Sequence, residues 1–167
     1  MKAFPVILIA ASLLFCPMLS LNAQSLPDVK VEDAAGRGVA TSTFIDGKVP
    51  IMLTLWSTSC KPCIMELDAI CELLPDLPDA GVKYRIIAVC TDNSRSVAKA
   101  RAFAAGRGWD GIELYFDPNQ SLTRAMNVSM IPHAFVFDVK GNAVYNHLGY
   151  VPGGEDELFD AVNGLLK

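Results

Sequence analysis

The stretch LTLWSTSCKPCIMELDAI, residues 53–70, passes from an apolar, strand-forming segment into two cysteines three positions apart, and then into a helical pattern. Upstream it belongs to PIMLTLW, residues 50–56, a continuous apolar run rich in strand formers, with Pro50 tolerable as its first residue. From Cys60 onward, Cys60, Cys63, Ile64, Leu67, Cys71 and Leu74 fall on one face of a helix, which Pro75 and Pro78 end. Cys60 therefore sits at a helix N-terminus, where unpaired backbone N–H groups and the helix dipole favour negative charge. A thiolate is stabilised there, and the thiolate is the reactive form of cysteine. Lys61 adds a positive charge, and Pro62 fits the first turn, where its missing N–H costs nothing. Cys63 follows one turn on, within disulfide reach of Cys60.

The rest of the chain alternates between strand and helix patterns. YRIIAVC, 84–90, is apolar on consecutive residues, as expected for a central parallel strand covered on both faces. TDNSRS supplies capping residues for an Ala-rich helix ending near Gly106 and Gly108. IELYF, 112–116, reads as a strand, and DPNQSLTRAM as a short helix opening at Asp117 and Pro118. Two apolar runs around Lys140-Gly141-Asn142 predict a β-hairpin. EDELFDAVNGLL closes the chain as an amphipathic helix with acids in its first turn. These elements predict an α/β fold, a central mixed β-sheet flanked by helices.

Length and charge narrow the function. A chain of 167 residues suits one core, and 51% apolar residues exclude a disordered chain. With 14 Lys plus Arg against 18 Asp plus Glu and no basic stripe, nucleic acid is excluded as a partner. Residues 1–23 read as a secretory signal peptide: Lys2, an apolar run, then Ala23 before a cut, leaving a domain over 24–167. An uncleaved anchor and a lipid-modified Cys16 are the rivals; Pro5 and Pro17 break the run, and bulky Phe15 precedes Cys16. An exported chain meets an oxidising compartment that permits disulfide chemistry.

Trp56, Cys60-Lys61-Pro62-Cys63, Glu66 in the pattern CxxCxxE, and the later Ile131-Pro132 together resemble the thioredoxin superfamily, and within it the periplasmic TlpA/ResA-like branch, from about Leu26 to the end. The resemblance implies a thioredoxin-like fold, a redox-active Cys60–Cys63 disulfide, a cis bond before Pro132 facing it, and a proton-transfer role for Glu66. It also implies protein disulfides as substrates and a membrane-bound thiol as electron donor; the cycle needs no metal or organic cofactor, and a monomer suffices. The departures are Ser59, where relatives often carry an aromatic residue, Thr54, where thioredoxin has a buried aspartate, and His133, where a threonine is usual.

Other readings of the same residues stay open at this stage. Cys60 and Cys63 also fit an inert disulfide in a binding module or half of a zinc site, although no second CxxC supplies the remaining ligands. A c-type haem site is excluded because Ile64, not His, follows Cys63. A peroxiredoxin-type peroxidase predicts Pro and Thr upstream of its nucleophile, where this chain has Leu53 and Ser57. Trp56 is expected to be a core and rim residue shaping the site. Cys71 and Cys90 are expected as core packing. His133, beside Pro132, is placed to favour a Cys60 thiolate if its imidazolium faces the pair. His147 has no evident partner and is assigned to structure or surface.

Overall fold

The computed structural model describes residues 24–74 and 83–166. The expected signal peptide lies outside the described residues. Among those described, no helix is long and apolar enough to cross a membrane.

A seven-stranded mixed sheet, in the order β2-β1-β5-β4-β3-β6-β7, forms the middle layer. Its centre is made by β3 (Ile51–Trp56), β4 (Arg85–Cys90) and β5 (Ile112–Phe116), all parallel, as the continuous apolar run of β4 predicts. All six residues of β3 are buried. On one side of β3 the antiparallel hairpin β6 (His133–Phe137) and β7 (Ala143–Leu148) extends the sheet. The Asp138 carboxylate fixes its turn by accepting from the Lys140 and Asn142 amides, while Gly141 takes the positive φ of 83° that a side chain would resist.

The pleat sorts the core into two clusters. Met52, Trp56, Ala88, Cys90, Ala134 and Val136 face α1 (Lys61–Leu73), α2 (Val97–Ala105) and α4 (Glu155–Gly164). Ile51, Leu53, Leu55, Ile87, Val89, Phe135 and Phe137 face α3 (Ser121–Ala125) and Phe44.

Two of the secondary-structure elements depart from the sequence reading. The short antiparallel pair β1 (Lys30–Glu32) and β2 (Gly38–Ala40) edges the sheet beside β5, and three residues per strand carry too little alternation to announce themselves. The helix expected to open at Asp117 and Pro118 starts at Ser121, because Gln120 takes a left-handed φ of 53°. Asp117 still anchors it from behind, accepting from the Ser121 and Thr123 amides and the Thr123 hydroxyl.

Candidate redox site

The two cysteines stand where β3, at the middle of the sheet, hands over to α1. Cys60 is the N-cap residue, with extended φ −93° and ψ 95°, and Pro62 lies in the first turn. The corner is tied down by Asp92, just after β4, whose carboxylate accepts from the Thr58 amide at 3.0 Å and the Thr58 hydroxyl at 2.7 Å. Cys60 and Cys63 are joined as a disulfide with Cα atoms 5.3 Å apart. The pair is asymmetric: Cys60 is partly exposed, whereas Cys63 is fully buried. Cys60 Sγ also accepts the Cys63 backbone N–H at 3.2 Å, a contact that stabilises a thiolate on Cys60 once the disulfide is reduced. Lys61 and Pro62 are exposed beside it. Across the site, the Ile131 carbonyl oxygen lies 3.8 Å from Cys60 Sγ. The Ile131–Pro132 bond is cis, and the Pro132 carbonyl accepts from the Gly149 amide at the end of β7.

Glu66 lies on α1 one turn beyond Cys63, so the two side chains are helical neighbours, and both are wholly buried. Its carboxylate does not lack partners. Thr54 Oγ1 donates to Oε2 at 2.6 Å, and His147 Nε2 lies 3.0 Å from Oε1. The positions follow from sheet register: Thr54 pairs with Ala134, and Ala134 with His147, so the three form one row across β3, β6 and β7 beneath α1. The methyl group of Ala134 in the middle leaves room for Glu66 between the two polar ends.

A β-bulge decides which way His147 points. Phe137 pairs with Ala143, but Val136 pairs with Tyr145, so Val144 is the extra residue. Ala143 accordingly packs with the α3-side cluster and Tyr145 with the α1-side cluster. Without the bulge, His147 would stand opposite His133 and face away from Glu66. Neither His147 nor the use of Thr54 as a glutamate partner was legible from the sequence, because both depend on that pairing.

Residues 23–146 match the AhpC/TSA family. The chain belongs to the AhpC/TSA family. The solution structure of a thioredoxin-like protein from Porphyromonas gingivalis is 40% identical over 84% of this chain and 90% of that one, with a TM-score of 0.71. The thioredoxin-like protein YneN of Bacillus subtilis is 29% identical, over 80% of this chain and 75% of its own length. The thiol:disulfide interchange protein DsbE of Vibrio cholerae is 29% identical, over 78% of this chain and 67% of its own length. The thioredoxin-like fold expected from the motifs is thereby established, and the AhpC/TSA family, the relatives' names and the disulfide at the strand–helix corner agree on an oxidoreductase.

Around this AhpC/TSA-family disulfide the remaining candidates separate. Trp56 is entirely core rather than core and rim, since Trp109 meets it edge-on at 5.1 Å and Phe103 lies at 6.2 Å. His133 stacks on Phe135 with centroids 4.2 Å apart, and its Nε2 lies 3.3 Å from Asn146 Oδ1. Phe135 belongs to the α3-side cluster, so strand alternation puts the His133 ring on the sheet face opposite Cys63 and Glu66. Desolvation pushes the His133 pKa down, against a smaller upward pull from Asn146, so the imidazolium expected to favour a thiolate is disfavoured at neutral pH. Cys90 is core, as expected; burial pushes its thiol up to about 12, and it donates to Asp92 at 3.5 Å. Cys71 is only partly buried, its thiol facing the Gly108 and Asp110 carbonyls at 3.6 and 3.7 Å.

Proposed function

We propose that the chain is an exported thiol–disulfide oxidoreductase that reduces disulfides in protein substrates, with Cys60 as nucleophile, Cys63 as resolving thiol and Glu66 as the proton acceptor for Cys63. The observation that carries this reading is the asymmetry of the pair: one sulfur is reachable and held by a backbone N–H, the other buried beside a buried carboxylate. In the reduced protein the Cys60 thiolate attacks one sulfur of a substrate disulfide, forming a mixed disulfide and releasing the first substrate thiolate. Cys63 then loses its proton to Glu66 and attacks Cys60 Sγ, closing the Cys60–Cys63 bond and expelling the second substrate thiolate. Two electrons leave the dithiol, and the substrate thiolates take up two protons. A membrane-bound thiol donor restores the dithiol between cycles.

Protein substrates are supported by exposed apolar side chains on the segments that carry the site. Met130, 61% exposed, precedes Ile131, and Met65, 41% exposed, is two residues beyond Cys63 on α1. Exposed apolar side chains on the segments flanking a cysteine pair suit contact with another protein.

Redox titration against a thiol buffer tests the assignment. A working pair has a reduction potential within about −270 to −120 mV, whereas a structural staple lies below about −300 mV. With a chemical dithiol as electron source, the protein reduces insulin disulfides and does not consume hydrogen peroxide; peroxide turnover without insulin reduction would identify a peroxidase instead. Export gives a second expectation. Mass spectrometry of the secreted product finds Gln24 as its first residue, and an intact Met1 or a lipidated Cys16 would contradict a released protein.

A further inference from the structure

A buried glutamate that accepts a proton in every cycle must also lose it, and Glu66 has no contact with solvent. Of the two groups that bond its carboxylate, Thr54 is buried and His147 reaches the surface. Its side chain is 17% exposed, and it lines an open pocket together with Tyr150 and Glu157. Beyond Nδ1, at 3.5 Å, stands the Tyr145 hydroxyl, which donates its single hydrogen to Glu157 Oε2. Tyr145 keeps that hydrogen at neutral pH, since desolvation and the Glu157 carboxylate push its pKa up to about 12. Toward His147 the phenol oxygen can therefore only accept, which puts a hydrogen on Nδ1.

That assignment fixes the other side of the ring. With Nδ1 protonated, a neutral imidazole presents a lone pair from Nε2 to Glu66 Oε1, 3.0 Å away. Two lone pairs at that distance repel, so one proton lies between them: on the carboxyl with a neutral imidazole, or on the imidazole with a carboxylate. Thr54 donates to the other oxygen, Oε2, and leaves this count unchanged. The other titratable groups at the pocket are Glu157 and Tyr150, the latter bonded to Glu155, while His133 stands on the opposite sheet face.

We infer that His147 is the relay and positioning residue of this site, sharing one proton with Glu66 and passing the proton taken from Cys63 out to solvent at the pocket. The inference rests on the reading of Glu66 as proton acceptor for Cys63. The Cys63 thiol loses H⁺ to Glu66, so that with the Nδ1 hydrogen the pair then holds three protons and one positive charge, and His147 gives one proton up to water or buffer at the pocket. No electrons move in these steps. The pair returns to two protons, one on Nδ1 and one shared with Glu66, ready for the next cycle.

The test follows a nitrothiobenzoate mixed disulfide formed on Cys60 of the reduced protein, whose decay by Cys63 attack releases a coloured thiolate. His147→Gln keeps a hydrogen-bonding amide near Glu66 but cannot carry a proton, and His147→Ala opens a hole to the pocket. Both variants slow decay about tenfold or more near pH 7. Imidazole added to His147→Ala restores the rate in proportion to its concentration, and does nothing for Glu66→Gln. Decay of His147→Gln at the wild-type rate would overturn the inference, as would a His147→Ala defect that imidazole leaves untouched; if His147→Ala does not fold, His147→Gln alone decides. The probe needs no natural substrate. Loss of insulin reduction by the wild type with this pattern intact would sink the substrate reading and leave the relay standing, whereas Glu66→Gln decaying like the wild type would sink the proton-acceptor reading on which the relay rests.

Discussion

Cys63→Ser accumulates a covalent mixed disulfide with substrate through Cys60, and Cys60→Ser accumulates little or none. The difference follows from exposure and charge. Cys60 is the partly exposed N-cap residue of α1, its sulfur facing the helix N-terminus and accepting the Cys63 N–H. Those contacts stabilise the thiolate that starts the reaction. Cys63 is buried and meets only a sulfur already delivered to Cys60. With Ser at position 63 the first attack proceeds and nothing resolves it. With Ser at position 60 the nucleophile is gone, and insulin reduction falls by about a thousandfold or more, toward the uncatalysed background. Non-reducing gels and mass spectrometry of both variants after exposure to an oxidised protein substrate give the answer. Equal trapping by the two would refute the order of attack.

Glu66→Gln separates the second half of the cycle from the first. The amide keeps the shape of the side chain and can still accept from Thr54, but it takes no proton from Cys63. Formation of the mixed disulfide stays near the wild-type rate. Its decay slows about a hundredfold near pH 7, the scale of a positioned general base. The sign of the pH dependence is fixed by the thiol. As pH rises, ionisation of the Cys63 thiol needs less help from a positioned base, so the defect shrinks. Stopped-flow traces of formation and decay across pH check both parts. A decay rate equal to wild type at every pH would return Glu66 to a structural role, as a carboxylate holding β3 and β7 together through Thr54 and His147.

What the sequence determined by itself is the part of the protein encoded within short windows. The apolar run of β3 announced a buried strand, and that of β4 a central parallel one. Cys60 before Lys61-Pro62, with the apolar spacing that follows, placed a helix start at the first cysteine, because caps and first turns are satisfied by residues within a few positions of one another. Lys140, Gly141 and Asn142 marked the β6–β7 turn for the same local reason. Glu66 was visible as one turn beyond Cys63, although its burial was not. The tertiary structure alone decided what surrounds that carboxylate. Thr54, Ala134 and His147 come from three strands, and their alignment depends on two antiparallel registers and on Val144 being skipped by its partner strand. One residue fewer in that bulge turns His147 to the other face of the sheet, since side chains alternate with a period of two. The sheet face of His133 follows from the same alternation, counted from strands that the local sequence leaves unaligned. Register is a property of paired strands, set by the packing of both faces at once, and no single segment of this chain contains it.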